Sequence, residues 1–142
     1  MNIVIVGTGY VGLVTGVGFA EQGHTVSFID LDSSKIEKLK NKQLPFFEPD
    51  LDTYFSKKEN FNRMSFHSSY NSLNWDESEI VFICVQTPNN IETNSVDTKF
   101  LESAISEISK LNNKEIVITV KSTIPPYEIE NVCSNVGYNQ DL

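Results

Sequence analysis

The chain has 142 residues, of which 39% are hydrophobic, so it has the size of one ordinary domain and can bury a core of its own. Eleven Lys and Arg residues stand against nineteen Asp and Glu residues, which gives a formal net charge of −8. This charge repels phosphate polymers and anionic lipid at long range, so we expect neither nucleic-acid nor membrane-surface binding.

The first half of the chain predicts three strands and three helices, because short β-branched runs alternate with longer segments of helical period. Gly23 stops the first helix, Ser33 or Ser34 caps the second, and Pro49 fits the first turn of the third. The predicted strands are Asn2–Val6, Thr25–Asp30 and Arg63–His67. The predicted helices are Tyr10–Gln22, Ser33 or Ser34 to about Asn41, and Asp50–Lys57.

The second half predicts a fourth strand at Glu79–Val85, whose apolar run indicates burial on both faces of a parallel sheet. A helix at Thr98–Leu111, capped by Asp97, leads to a fifth strand at Glu115–Lys121, and Pro125 opens a last helix. The right-handed crossover rule orders the five strands 3-2-1-4-5. The fold class is therefore predicted as α/β, a Rossmann-type doubly wound parallel sheet between two layers of helices.

Targeting and membrane signals are not evident in the sequence. The start, Met1–Gly7, has no basic leader, and no apolar run approaches the roughly 20 residues of a membrane helix, so we expect a cytoplasmic protein. Residues 137–142 are polar loop residues without a closing element, and we expect that the chain is cut from a longer one. Cys84 and Cys133 form no metal-ligand spacing, so no metal site is expected, and Cys84 reads as a buried, inert thiol.

A glycine fingerprint follows the first strand directly and opens the first helix. Gly7 permits a tight turn, Gly9 lets backbone amides approach a pyrophosphate, and Gly12 lets helix and strand pack closely. The helix N-terminus adds about half a positive charge directed at the ligand. The alternative is a tight turn without a ligand. Gly16 and Gly18, farther along the helix, are most simply explained by close packing on the sheet.

Asp30 ends the second strand, where a carboxylate can accept hydrogen bonds from an adenosine ribose. NAD is favoured over NADP, because a 2′-phosphate would meet this negative charge with no arginine nearby. Asp32 adds negative charge to the same corner, or serves as a turn residue that competes with Ser33 as the helix cap. Lys35 can reach the ribose or phosphate region, or remain solvated on a lysine-rich helix.

Hydroxyl side chains follow two further strands. Thr87 comes after the fourth strand and Ser122 and Thr123 come after the fifth, so all three are predicted at the carboxyl edge of the sheet, where ligands bind in open α/β folds. Hydroxyls there can contact the ribose, phosphate or nicotinamide without adding charge. For Thr123, an alternative or additional role is to cap the helix that starts near Pro125.

Four segments in order resemble the UDP-glucose/GDP-mannose dehydrogenase family across essentially the whole chain. They are Gly7–Leu13, Glu48-Pro49, Val85–Pro88 and Lys121–Pro125. Asp50 replaces the glycine of the family's Glu-Pro-Gly-Leu segment, which leaves the geometry of that turn open. Similarly, Tyr127-Glu128 replaces the family's Gly-Thr after the two prolines, which leaves open how the last helix begins.

This resemblance implies an NAD site and a reaction. The cofactor-binding residues would include Tyr10 and Val11 of the first segment, Val85 and Thr87 of the third, and Ser122 of the fourth. Thr123 would lie beside the nicotinamide and help to position groups around the reacting carbon. Family members oxidise the CH₂OH group of a nucleotide sugar to a carboxylate with two NAD, and a cysteine thiolate holds the intermediate.

The remaining parts of that enzyme are expected to lie beyond Leu142. They are the nucleophilic cysteine, the central helix through which family dimers form, and the C-terminal domain that binds the UDP-sugar substrate. Neither Cys84 nor Cys133 has the setting of the nucleophile, so we expect this chain alone to bind NAD weakly and to be inactive. A homo-oligomer is expected only for the full-length protein.

Two other interpretations remain open from the sequence. The first is another β-hydroxyacid-type dehydrogenase, a class that shares the glycine fingerprint but lacks this combination of segments. The second is a non-catalytic module that senses NAD, which would explain the missing nucleophile without truncation.

Overall fold

The computed structural model describes residues 1–90, 95–112 and 114–136. Each of the predicted strands and helices is present in this part of the chain, with shifted ends in most cases. The loop predicted at residues 137–142 lies outside the described residues.

Five parallel strands form one sheet in the order β3-β2-β1-β4-β7. The short strands β5 and β6 pair with each other in antiparallel fashion and lie outside this sheet, so the predicted order 3-2-1-4-5 is confirmed. The strands are β1 (Asn2–Val6), β2 (Thr25–Ile29), β3 (Met64–His67), β4 (Ile80–Ile83), β5 (Asn89–Asn90), β6 (Ser95–Val96) and β7 (Val117–Val120).

Helices cover both faces of the sheet. They are α1 (Tyr10–Glu21), α2 (Ser33–Lys40), α3 (Leu51–Phe55), α4 (Lys58–Phe61), α5 (Lys99–Leu111) and α6 (Pro126–Asn135). Ile5 and Phe28 face a core that includes side chains of α1, α2 and α3. Val4 and Val81 face a second core, formed with α5 and α6. The predicted three layers are therefore confirmed.

The strands end where the glycine turn begins. Val6 is the last residue of β1, and its register partners Ile29 and Ile83 are the last residues of β2 and β4. Since Gly7 turns away from the sheet with a φ of 97°, the neighbouring strands lose their ladder partner there. This is why β4 stops before the predicted Val85 and β2 stops before Asp30.

Burial on β4 differs between its two faces. Val81 and Ile83 are fully buried, whereas Ile80 and Phe82, which point to the α1 side, are only partly buried. The expected burial on both faces is therefore realised on one face only. Val117 on the neighbouring edge strand β7 is 60% exposed, so the sheet is incompletely covered at this edge.

Two helix boundaries correct the predictions. The third helix, predicted as Asp50–Lys57, ends at Phe55, and α4 follows as a separate helix because Lys57 has an extended backbone with ψ of 129°. Asp32, and neither Ser33 nor Ser34, caps α2, since its carboxylate accepts hydrogen bonds from the amides of Ser34 and Lys35. A carboxylate is a better match than a hydroxyl for the positive end of the helix.

The turn before α3 keeps a glycine-like backbone without a glycine. Asp50 has a φ of 63° in the left-handed region, where residues other than glycine, asparagine and aspartate are rare. Asp50 stands where the family has a glycine, and it keeps the same turn by adopting the left-handed conformation that glycine favours. The last helix, α6, begins at Pro126, one residue after the predicted start.

Within the described ranges, no helix combines the length and the apolar character needed to cross a membrane.

Candidate functional site

The glycine loop connects β1 to α1 in a conformation that leaves little room for side chains. A Cβ on Gly7 would lie 2.7 Å from the carbonyl oxygen of Cys84, and a Cβ on Gly12 would lie 1.9 Å from the carbonyl oxygen of Gly7. Both positions thus require glycine for packing alone. Gly9 differs, because a Cβ there would meet nothing within 4 Å. Open space beside Gly9 is what a bound ligand would need.

The first turn of α1 offers donors to an anion. Its first intrahelical bond runs from the amide of Leu13 to the carbonyl of Gly9, no side chain caps the helix, and no acidic residue lies in its first turn. The amides of Tyr10, Val11 and Gly12 precede that bond and have no intrahelical acceptor. Together with the helix dipole, they form a positively polarised end that suits a phosphate group.

Gly16 and Gly18 behave differently from each other. A Cβ on Gly16 would lie 2.3 Å from the ring of Phe28, so its predicted role in close packing is confirmed. A Cβ on Gly18 would meet nothing within 4 Å, and Gly18 is exposed. The packing explanation is therefore wrong for Gly18, which faces away from the sheet.

Asp30 lies next to the glycine loop and is already bonded to it. Its Oδ2 accepts hydrogen bonds from the amide of Thr8 at 2.9 Å and from the Thr8 hydroxyl at 2.7 Å. Its Oδ1 accepts a bond from the amide of Asp32 at 3.0 Å. The side chain of Asp30 is 14% exposed, so most of it is buried, but it lines the cavity described below.

Lys35 completes this corner. Its ammonium lies 3.7 Å from Oδ2 of Asp30, so it contacts the predicted ribose carboxylate and is not merely solvated. Asp32 is fully exposed, and its pKa is lowered mainly by the hydrogen bond from the Ser34 hydroxyl and then by the amide of Lys35. Asp32 therefore acts on helix α2, as the turn-and-cap alternative proposed.

Hydrogen bonds join the loops after β4 and β7. The Thr87 hydroxyl donates to the carbonyl of Thr123 at 2.8 Å, and the Ser122 hydroxyl donates to the carbonyl of Val85 at 2.6 Å. These bonds use the hydroxyl protons, so both oxygens face a ligand as acceptors only. Thr123 is exposed, and no side chain caps α6, so the capping alternative for Thr123 is wrong.

A cavity of about 280 Å³ lies at the carboxyl ends of β1, β2 and β4. It brings together the predicted residues Gly7, Gly9, Asp30, Lys35 and Val85. The other predicted residues do not line it; they are Tyr10, Val11 and Gly12 in the first turn of α1, and Thr87, Ser122 and Thr123 in the loops after β4 and β7. Sequence reasoning missed the other lining residues. They are Val6, Ile29, Leu31, Tyr70, Cys84, Gln86, Phe100 and Ser103.

Two exposed apolar side chains line this cavity. Leu31 is 69% exposed and Phe100 is 46% exposed, although both are large and hydrophobic. Their position after β2 and at the start of α5 gave no signal in the sequence, because neither belongs to a motif. Exposed apolar side chains that line a cavity are suited to contact the flat face of a base.

A second groove, of about 410 Å³, runs between α1 and the Glu48–Tyr54 segment. It is larger, but no glycine-loop residue lines it. The cavity at the strand ends is the better candidate site, because backbone donors, a carboxylate and an ammonium converge on it.

Two ionisable groups in the candidate cavity stay neutral near pH 7. Burial raises the pKa of the Cys84 thiol to about 11, although the charge of Lys121 opposes this shift. Burial, with smaller contributions from Glu107 and Asp30, raises the pKa of Tyr70 to about 12. A neutral thiol is a poor nucleophile, which agrees with the predicted inertness of Cys84. The predicted burial is only partial, because Cys84 is half-buried and lines the cavity. No cluster of three or more metal-ligating side chains occurs among the residues that the structure describes.

Comparison with known families gives one extensive match. The profile of the UDP-glucose/GDP-mannose dehydrogenase family, NAD binding domain, matches residues 1–141. Among similar proteins, the UDP-glucose 6-dehydrogenase of Rickettsia bellii is 41% identical over 136 residues. That alignment covers 96% of this chain and 30% of the relative, so this chain spans about a third of the relative's length.

Solved structures agree with the sequence match. The ternary complex of GDP-mannose dehydrogenase from Pseudomonas aeruginosa superposes with a TM-score of 0.85 at 28% identity, over 96% of this chain and 31% of that one. The UDP-D-ManNAc dehydrogenase from Pyrococcus horikoshii superposes with a TM-score of 0.87 at 27% identity, over 100% of this chain and 34% of that one.

Proposed function

Because the chain belongs to the UDP-glucose/GDP-mannose dehydrogenase family, as its NAD-binding domain, we propose that it binds NAD for a nucleotide-sugar 6-dehydrogenase. Such an enzyme oxidises the CH₂OH group of a UDP-sugar to a carboxylate, and NAD supplies the hydride acceptor. The observation that carries the proposal is the glycine loop with open space at Gly9, placed beside the accessible carboxylate of Asp30. The family match favours this reaction over that of another β-hydroxyacid-type dehydrogenase.

The adenosine end of NAD would occupy the cavity. The pyrophosphate would face Gly9 and the free amides of Tyr10 and Val11, since these are the donors at the positive end of α1. Asp30 and Lys35 would contact the ribose. The base would lie between Leu31 and Phe100, whose exposed apolar surfaces are otherwise unexplained.

The nicotinamide end would lie along the loops after β4 and β7. Val85 and Thr87 belong to the loop after β4, and Ser122 and Thr123 belong to the loop after β7. Since the hydroxyls of Thr87 and Ser122 are acceptors here, they suit the NH₂ group of a carboxamide better than a phosphate. Thr123 is exposed beside these loops, and by the family resemblance it would help to position groups around the reacting carbon.

The described residues do not offer an activated nucleophile for the complete reaction. Covalent capture of an intermediate requires an activated thiolate, and Cys84 is held neutral by burial. This chain alone therefore binds NAD and turns nothing over. This chain covers 30% of its Rickettsia bellii relative, so we infer that the UDP-sugar site, the nucleophile and any homo-oligomer contacts would lie in the part of such an enzyme that this chain does not cover.

The test is a fluorescence titration of the purified chain with NADH and, in parallel, with NADPH. Saturable NADH binding, with NADPH binding at least about tenfold more weakly, is the expected result, because a 2′-phosphate would approach the Asp30 carboxylate. An incubation with NAD and UDP-glucose should give no NADH. Equal binding of both cofactors would contradict the role of Asp30, and steady NADH production would contradict the inactivity of this chain.

Absence of NADH binding by the folded chain would contradict the proposed site itself. The non-catalytic sensing module is distinguished by a second comparison, made on the longest open reading frame that contains this chain. If the encoded protein contains a further sugar-binding region and oxidises a UDP-sugar, the result supports the dehydrogenase. If the encoded protein binds NADH without any turnover, the result supports the sensor.

A further inference from the structure

The second groove, between α1 and Glu48–Tyr54, presents apolar surface that the proposed function does not use. Val14 is 43% exposed and Tyr54 is 42% exposed, and both line this groove. Val17 and Leu51, which are buried, also line it. Exposed apolar side chains gathered on one concave surface mark an interaction site, whereas single ones scattered over a surface do not.

Gly18 leaves a notch in the wall that α1 contributes to the groove. It lies four residues from Val14 and from Gln22 on the same face of the helix, and all three residues line the groove. A Cβ on Gly18 would meet nothing within 4 Å, so the fold does not require glycine here. Glycine also destabilises a helix interior relative to alanine. Close approach of a second backbone is a physical reason for a glycine at such a position.

The charge on the groove is acidic. Glu21, Glu48 and Asp50 line it, and none of its lining residues is basic. Glu21 is matched by Lys57, whose ammonium lies 2.6 Å from its carboxylate. Among the described residues, neither Glu48 nor Asp50 takes part in an ion pair. Two unmatched carboxylates therefore border an apolar surface, which is complementary to an apolar stripe flanked by lysine or arginine.

The shape of the groove suits a helix better than a strand. Its walls are α1 and the segment that leads into α3, so no strand edge is available to pair with an extended peptide. The stretch of α1 from Val14 to Gln22 is about 12 Å long, which corresponds to about two turns of a docked helix. A helix with apolar residues at positions i, i+3, i+4 and i+7 would present them along this length.

We propose that the second groove is a docking site for a basic amphipathic helix of a partner protein. The apolar stripe of that helix packs between Val14 and Tyr54, its backbone approaches α1 at Gly18, and its basic side chains face Glu48 and Asp50. A second copy of this chain is the poorer occupant, because its net charge of −8 would add negative charge to an acidic surface. This inference does not depend on NAD binding.

The test is a fluorescence-anisotropy titration with a labelled peptide of about 16 residues, long enough to form a helix when bound. The peptide consists of leucine and lysine, is blocked at both ends, and has its leucines at positions i, i+3, i+4 and i+7. One control peptide has the same composition with the leucines spread around the helix, and another has glutamate in place of lysine. The patterned basic peptide should bind saturably and at least about tenfold more tightly than either control.

Gly18→Leu tests the notch. The leucine side chain fills the space that the docked backbone needs, so the affinity for the patterned peptide should fall at least about tenfold. Leucine favours a helix more than glycine does, and the position is open, so thermal unfolding of Gly18→Leu should occur at no lower temperature than in the parent chain. NADH affinity should also be unchanged. Loss of peptide binding in this variant is therefore separated from loss of folding.

The charges are tested by Glu48→Gln with Asp50→Asn, since asparagine tolerates the left-handed backbone at residue 50. At low salt this double variant should bind the patterned peptide about fourfold more weakly, about twofold for each lost ion pair. The matched control is Glu115→Gln with Glu130→Gln, which changes the net charge equally at two exposed residues outside the groove. Its affinity should stay within about 1.5-fold of the parent value.

Each outcome decides the proposal. Absence of peptide binding overturns it, as does equal binding of the rearranged peptide, an unchanged affinity in folded Gly18→Leu, or an equal effect of the two charge variants. If Gly18→Leu does not fold, Gly18→Ala adds one methyl group to the notch and decides in the same way, with an expected loss of about threefold. A dimer of the parent chain in analytical ultracentrifugation that Gly18→Leu dissociates would overturn the proposal in favour of a second copy.

Discussion

Glycines of the first strand-helix unit differ in what prevents a side chain at each position. At Gly12 and Gly16, neighbouring protein atoms occupy the space that a side chain would need. A Cβ would lie 1.9 Å from the Gly7 carbonyl oxygen at Gly12 and 2.3 Å from the Phe28 ring at Gly16. Gly9 and Gly18 have open space instead. The space at Gly9 lies in the candidate cavity, whereas Gly18 lines the second groove, between α1 and Glu48–Tyr54. The fold therefore requires a glycine at neither position, and the proposed pyrophosphate site distinguishes Gly9 from Gly18.

Gly9→Ala should leave the chain folded and weaken NADH binding at least about tenfold, because the methyl group enters the space through which the pyrophosphate approaches. Its cost to stability should not exceed about 1 kcal/mol, the value of a helix N-cap. Gly18→Ala is the matched control and should stabilise α1 by about 0.5–1 kcal/mol without changing NADH affinity. Thermal unfolding and NADH titration of both variants check this. Parent-like NADH binding by Gly9→Ala would refute the pyrophosphate assignment.

Asp50 carries a local backbone strain that glycine would remove. Its φ is 63°, and its side chain makes no capping hydrogen bond to α3. Asp50→Gly should raise the free energy of unfolding by about 0.5 kcal/mol, because relief of the left-handed conformation exceeds the entropy cost of glycine. Asp50→Ala keeps the Cβ and should give no gain. Urea denaturation measures both, and a gain in Asp50→Ala equal to that in Asp50→Gly would show that the strain is not at the backbone.

At the scale of elements, the end of β3 contains a titratable group that the proposed function does not use. His67 Nδ1 lies 3.1 Å from the Ser72 hydroxyl, and Nε2 lies 3.0 Å from the Ser65 hydroxyl. Burial lowers the pKa of His67, and the charge of Lys40 lowers it further, whereas the hydrogen bond with Ser72 opposes this. Neutral hydroxyls do not compensate for the cost of burying a positive imidazolium.

The sign of the resulting pH dependence follows from linkage. The folded chain binds the His67 proton less readily than the unfolded chain, whose histidine has a pKa of about 6.5. The contribution of His67 is therefore complete above about pH 7 and is lost as the pH falls through 6.5 toward the lower pKa of the folded state. Urea denaturation between about pH 7 and pH 5 should show a smaller loss of stability in His67→Gln than in the parent chain. An equal loss in both would contradict this assignment.

Elements were predictable from the sequence where hydrophobic period and punctuation agree. The apolar run Asn2–Val6, followed by Gly7, predicted both ends of β1 correctly. Helix α5 starts at Lys99, one residue after the predicted Thr98, and Asp97 accepts a hydrogen bond from the amide of Lys99. The ends of β4 and β2 were not predictable, because they depend on where β1 ends in the sheet. The end of α3 before Lys57 was also not predictable, because no glycine or proline lies there.

At the scale of the whole molecule, the candidate site is built from the ends of strands distant in sequence. Motif residues such as Gly9, Asp30 and Val85 were predictable, because each follows a strand with chemistry suited to a dinucleotide. Leu31 and Phe100 were not, since an exposed apolar side chain carries no signal until the sheet places it beside a cavity. The hydrogen bonds from Thr8 to the Asp30 carboxylate were not predictable from the sequence either.

The central claim is that NAD binds at the glycine loop and the ends of β1, β2 and β4. The most direct measurement is an NMR titration of the ¹⁵N-labelled chain with NADH, in which each backbone amide reports its own environment. We predict shifts concentrated at residues 7–12, 30–35 and 85–87, and at Ser122 and Thr123. Shifts confined to the groove between α1 and Glu48–Tyr54, or no shifts at saturating NADH, would contradict the claim.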